Sequence, residues 1–210
     1  MQVIRVEVLL RKLPKALDGL SIVQLSDMHV GPLIGGEFVR RVVDVVNSLS
    51  VDLVAITGDL VDGSVADLAR ELEPLSGLRS TFGSYFVTGN HEYHAGAPEW
   101  CDFLNRLGSR VLRNERVEIE RDGARTYLAG VDDYEAHFPP GGLIRRCAPS
   151  RRRSVSTISL SGLRPLRGLR PVRVEPWEHF PPSGRKEASR PLGRLVSLRP
   201  RGDSNHRPSA

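Results

Sequence analysis

The chain has 210 residues, 40% of them apolar, and a formal net charge of +5, which is length enough for one domain, or one domain and a tail, with a full-sized core. No apolar run approaches the ~18–20 residues of a membrane-spanning helix, the start of the chain lacks the apolar h-region and cleavage site of a secretory signal, and two distant cysteines, Cys101 and Cys147, argue against a disulfide framework or a Cys-based zinc site. The charge is divided: residues 1–140 carry 14 Lys and Arg against 21 Asp and Glu, whereas residues 141–210 carry 16 against 4, so the basicity that would attract a polyanion belongs to one segment.

In chain order, "VIRVEVLL" reads as an edge or antiparallel strand, and "SIVQLS" as a short buried strand ending at Asp27. "EFVRRVVDVVNSL" places apolar residues at 38, 39, 42, 43, 45, 46 and 49, one face of a helix. "DLVAITGD" is a second apolar run ending at Asp59. The next segment, "SVADLARELEPL", has a stripe of Val65, Leu68, Leu72 and Leu75, with Ser64 three residues ahead of Asp67 as a capping box. "SYFVTGN" is the third run, ending at Asn90. "PEWCDFLNRL" follows as a helix with Pro98 at its first turn, Trp100, Phe103, Leu104 and Leu107 inward, and Cys101 as a small apolar residue. "RVEIERDGARTYLAGV" is a hairpin about Asp122-Gly123. Short apolar runs alternating with amphipathic helices predict a parallel sheet covered on both faces.

Each of the three apolar runs ends in hard donors: Asp27 and His29, then Asp59, then Asn90 and His91. The intervals from 27 to 59 and from 59 to 90 are 32 and 31 residues, each one strand–helix crossover, so the donors return to the same sheet edge. Carboxylate, amide and imidazole together suit Mn, Fe or Zn rather than a thiolate-seeking metal. Asp59, on the middle strand, is the natural bridge between two ions. Gly58 and Gly89 let the backbone turn sharply out of the strands. Asp62 is expected to cap the following helix rather than bind metal. Glu92, Tyr93 and His94 stand open between pocket and solvated loop, and a structural role is expected for Asp132 and Asp133 ahead of a substrate-facing one.

The motifs D-x-H at 27–29, G-D-x-x-D at 58–62 and G-N-H-E at 89–92, in that order and register, resemble the calcineurin-like metallophosphoesterase family over roughly residues 3–135. The resemblance implies an α/β fold, a βαβαβ sandwich of mixed sheets flanked by helices. It implies two divalent metal ions (Mn, Fe or Zn) about 3.5–4 Å apart with a bridging hydroxide that attacks a phosphomonoester or phosphodiester in line. On this chain Asp27 and His29 would hold the first metal, Asp59 would bridge, Asn90 would hold the second, and His91 would assist the leaving group as the catalytic residue. The family's later histidines, including a Gly-His-x-His pair, have no counterpart; the histidines after His94 are His137, His179 and His206. Weak metal retention and impaired turnover are the expectation.

Residues 141–210, with nine prolines and fifteen arginines, sustain no helical or strand period and are expected to be a disordered basic tail after an incomplete catalytic domain over 1–140. Arg, Pro, Gly, Ala and Ser come from GC-rich codons, so a shift of reading frame near residues 139–142 is expected; the nucleotide sequence across that point decides it. The alternative function is a non-catalytic binding protein whose tail holds polyanions, the one route by which nucleic acid enters. The compartment stays open, since relatives often follow a membrane-spanning or export segment.

Overall fold

The computed structural model describes residues 2–10 and 13–133 and the backbone of two later strands, 157–161 and 192–200. Strand β1 (Gln2–Leu10) opens the chain and a 3₁₀ turn (Lys15–Leu17) leads to β2 (Ser21–Ser26), α1 (Gly36–Ser48) and β3 (Leu53–Thr57). Then come α2 (Val65–Leu72), a second 3₁₀ turn (Glu73–Gly77), β4 (Ser84–Val87), α3 (Asn90–Ala95), α4 (Ala97–Arg106) and β5 (Ser109–Val111). The hairpin strands β6 (Glu115–Arg121) and β7 (Ala124–Val131) follow, then β8 (Thr157–Ser161) and β9 (Leu192–Pro200).

One sheet has the order β1-β9-β2-β3-β4-β5 and the other β6-β7-β8. Strands β2 to β5 are parallel neighbours in chain order. Parallel strands added in one direction through right-handed crossovers carry their helices to the same face, and the packing follows. Val23, Leu25, Val54, Ile56 and Phe86 meet Val39, Val42, Val43 and Val46 of α1, Leu68 and Leu72 of α2 and Trp100 and Leu104 of α4 in one buried cluster. The alternate residues Ile22, Leu53, Ala55, Tyr85 and Val87 face the hairpin through Val117, Ile119 and Leu128. Period-2 strands covered by helices on one side and a sheet on the other give three layers.

The helix and strand faces read from periodicity are the ones buried, and β1 is an edge strand of the large sheet. Ser64 caps α2, its hydroxyl accepting the Asp67 N–H at 3.3 Å, which leaves Asp62 free of the capping role expected for it. Cys101 is buried in α4, and burial pushes its thiol up to about 11. Asp132 accepts a two-pronged pair of bonds from Arg113, each 3.0 Å, and one from Asn114 at 3.1 Å, tying the turn after β5 to the end of β7.

Among the described residues two elements arise beyond residue 140, where the sequence shows no period. β9 runs between β1 and β2, parallel to the first and antiparallel to the second, and β8 pairs with β7. Backbone pairing needs only N–H and C=O groups, so a segment without clean alternation can complete a ladder. His137, His179, His206 and residues 139–142 lie outside the described residues. Among the described residues no helix is long and apolar enough to cross a membrane.

Candidate metal centre

The expected donors leave the carboxyl ends of three adjacent strands. After β2 the backbone N–H of Asp27 donates to the Gly58 carbonyl at 3.2 Å, His29 to Asp59 at 3.1 Å and Val30 to Leu60 at 2.8 Å. The two loops are thus stitched rung by rung past the strands. Met28, buried at 2% exposure, anchors its loop in the core while its neighbours Asp27 and His29 stay at the rim. Both neighbours adopt left-handed backbone, φ 56° and 45°, as does Asp59 at 51°. Such conformations cost of order 1–3 kcal/mol each and persist where surrounding contacts hold them; three of the six non-glycine examples among the described residues sit here.

Donor atoms of Asp27, His29 and Asp59 lie within 4.8 Å of one another, and so do those of His29, Asp62 and His91. Asn90 opens α3 immediately beyond β4, beside His91, whose N–H donates to Asp59 Oδ1 at 3.1 Å. The strand expected to run to Asn90 ends at Val87 instead.

Asp62 Oδ1 lies 2.9 Å from His29 Nδ1 and 2.8 Å from His91 Nδ1, and the two rings meet edge to face with centroids 4.4 Å apart. An ionised carboxylate only accepts, so both imidazoles carry their proton on Nδ1 and keep Nε2 available. Partial burial pushes the Asp62 carboxyl up, but the hydrogen bonds from His29 and His91, joined by the attraction of either ring when it is protonated, outweigh it and leave it lowered. Asp62, expected as a helix cap, is the common support of both histidines.

Glu92 was the less legible residue. It is fully buried, which excludes the solvated-loop alternative, and its carboxylate accepts three backbone N–H groups: Asp59 at 3.0 Å, Leu60 at 2.7 Å and Gly89 at 2.6 Å. Burial, the largest influence, raises its pKa, and the backbone donors act against it. The signal was present, since Glu92 is the third residue of a helix that begins after Gly89, the place from which an acid reaches back to the cap N–H. Tyr93 hydrogen-bonds Thr88 through its hydroxyl at 2.8 Å.

The two glycines do different work. Gly58 has φ 74°, a torsional need. Gly89 has an ordinary φ of −97°, but a Cβ there would lie 2.2 Å from Asp59 Oδ1 and 2.5 Å from its backbone nitrogen; its need is space.

The family model described as calcineurin-like phosphoesterase matches residues 20–200. A Danio rerio protein named transmembrane protein with metallophosphoesterase domain is 42% identical over 141 residues, 65% of this chain and 32% of that protein. Its Bos taurus namesake is 38% identical over 186 residues, 81% of this chain and 41% of that protein. An uncharacterized metallophosphoesterase of Helicobacter pylori is 40% identical over 146 residues, 68% of this chain and 38% of that protein. The chain therefore spans less than half the length of these relatives. No solved structure matches it. The fold, the three strand-end motifs and a family match over most of the chain agree: this protein belongs to the calcineurin-like phosphoesterase family.

Proposed function

We propose that the chain is a metal-dependent phosphoesterase, hydrolysing a phosphomonoester or phosphodiester at the centre formed by Asp27, His29, Asp59 and Asn90. The observation that carries this reading is the convergence of the Asp27, His29 and Asp59 donor atoms within 4.8 Å at the carboxyl rim of a parallel sheet. The donor set fits the group: two carboxylates and an imidazole with its Nε2 available are oxygen and nitrogen ligands of the kind Mn, Fe and Zn take. Asp27 and His29 would hold one ion, Asn90 a second, and Asp59 would be shared. When bound, the ions would supply Lewis-acid charge for the phosphoryl oxygens and lower the pKa of a water at neutral pH.

The chain's own residues account for orientation and proton delivery. Asp62 fixes the His29 ring by its Nδ1, the arrangement by which a carboxylate orients a metal-ligating histidine. The same oxygen holds the His91 ring and would stabilise its imidazolium form, so that Nε2–H can protonate a leaving alkoxide as general acid. The chain contains no Gly-His-x-His motif, and on this reading the donors among the described residues would hold metal weakly.

The test is a Mn²⁺ titration followed by electron paramagnetic resonance, with p-nitrophenyl phosphate and bis(p-nitrophenyl) phosphate as substrates. Slow turnover is expected that requires added Mn²⁺ and stops with EDTA. Turnover indifferent to EDTA, or no Mn²⁺ binding at millimolar metal, sinks the reading; binding without turnover on either ester reduces the protein to a metal-holding scaffold.

A further inference from the structure

We propose that Glu92 is a positioning residue for this centre: its buried carboxylate holds Asp59 in its left-handed conformation and fixes the separation between the loop after β3 and the start of α3. The inference rests on the ligand assignment above, but its geometry stands apart from it. Asp59 and Leu60 follow β3, whereas Gly89 follows β4; one carboxylate accepts the N–H of all three.

The consequence is directional. An Asp59 N–H engaged from the α3 side is drawn toward Glu92, and the Asp59 side chain reciprocates, Oδ1 accepting the His91 N–H of the same helix. The two loops are thus cross-bonded in both directions, with Gly89 allowing the approach because any Cβ would strike Asp59. A left-handed aspartate relaxes toward common backbone regions unless contacts hold it; on the strand-side loop the Asp59 carbonyl is held by the His29 N–H, and on the α3 side its own N–H is held by Glu92. Here relaxation would break a bond between a backbone N–H and a buried carboxylate, leaving that oxygen short of a donor where water does not reach. Glu92 therefore acts through Asp59, and through the Asp59-to-Asn90 spacing, without being a ligand itself.

Glu92→Gln is the discriminating variant, since an amide is nearly isosteric but has only one acceptor oxygen for three donors spread over two. The protein is expected to unfold cooperatively as the wild type does, while amide exchange at Asp59, Leu60 or Gly89 accelerates at least about 10-fold and Mn²⁺ affinity falls roughly 10–100-fold, the range for outer-shell partners. The three-bond HN–Hα coupling of Asp59, which reports φ, is expected to shift as well. Glu92→Asp, which keeps the charge but withdraws it by one methylene, gives the same pattern if the glutamine variant does not fold. Wild-type exchange at the three amides, or unchanged Mn²⁺ affinity despite faster exchange, overturns the proposal. If the wild type binds no Mn²⁺, the ligand assignment fails, and amide exchange with the Asp59 coupling then judges the clamp alone: a change in both supports it, no change refutes it.

Discussion

Replacing Asp59 by asparagine is expected to weaken Mn²⁺ binding by more than about 100-fold, beyond the 10–100-fold of an outer-shell change, while shifting unfolding free energy by less than about 1 kcal/mol. The two expectations separate because Asp59 has two jobs with different chemical requirements. As the proposed ligand shared between ions it would need negative charge. As a backbone position at φ 51° it needs a residue that tolerates left-handed torsion, and asparagine does so as readily as aspartate. The amide oxygen can still accept the His91 N–H that Oδ1 now receives at 3.1 Å. Asp59→Ala lacks both the acceptor and the torsional tolerance, so it loses metal and also costs roughly 1–2 kcal/mol of stability. Calorimetric Mn²⁺ titration and urea unfolding read the two effects independently. An asparagine variant that binds Mn²⁺ like the wild type would remove Asp59 from the ligand set.

Trp100→Ala is expected to cost about 3–5 kcal/mol, the range for emptying a large buried aromatic site. The ring is fully buried among the helix-side core residues and meets Phe103 edge to face, centroids 5.6 Å apart. It also reaches the rim: the indole Nε1–H donates to the Gly63 carbonyl at 3.0 Å, the residue after Asp62. Loss of the indole therefore removes core volume and frees the loop that supports both histidines. Trp100→Phe keeps most of the packing and loses the donor, with an expected cost of about 1–3 kcal/mol. Denaturant unfolding gives both values; an alanine variant within about 1 kcal/mol of the wild type would show that this residue does not anchor the loop.

Glu92, Asp62 and Gly89 show how far local sequence carries. The donors at 27, 29, 59, 90 and 91 could be named because each closes an apolar run, and a run's end is a local property of the chain. Gly89 stands out before Asn90, where the sequence suggests a torsional need, whereas the structure requires the absence of a Cβ beside Asp59. Helix α3 is not legible in "NHEYHA", which has no apolar period; its start is made by Glu92 reaching back to the Gly89 N–H. Strand β5, three residues from Ser109 to Val111, is too short to show alternation.

By itself the sequence determined the elements with strong periodicity, the faces they bury, and the order in which polar donors arrive at strand ends, because all of these follow from spacing within a dozen residues. Tertiary structure alone decided that chain-order strand addition puts the helices on one face and leaves the other to the hairpin sheet. It also decided that β9 enters between β1 and β2, and that Asp62 and Glu92 bond partners 29 to 33 residues distant. The physical reason is common to all three: a hydrogen bond or sheet pairing between distant segments depends on where the chain returns in space, and no local period encodes that return.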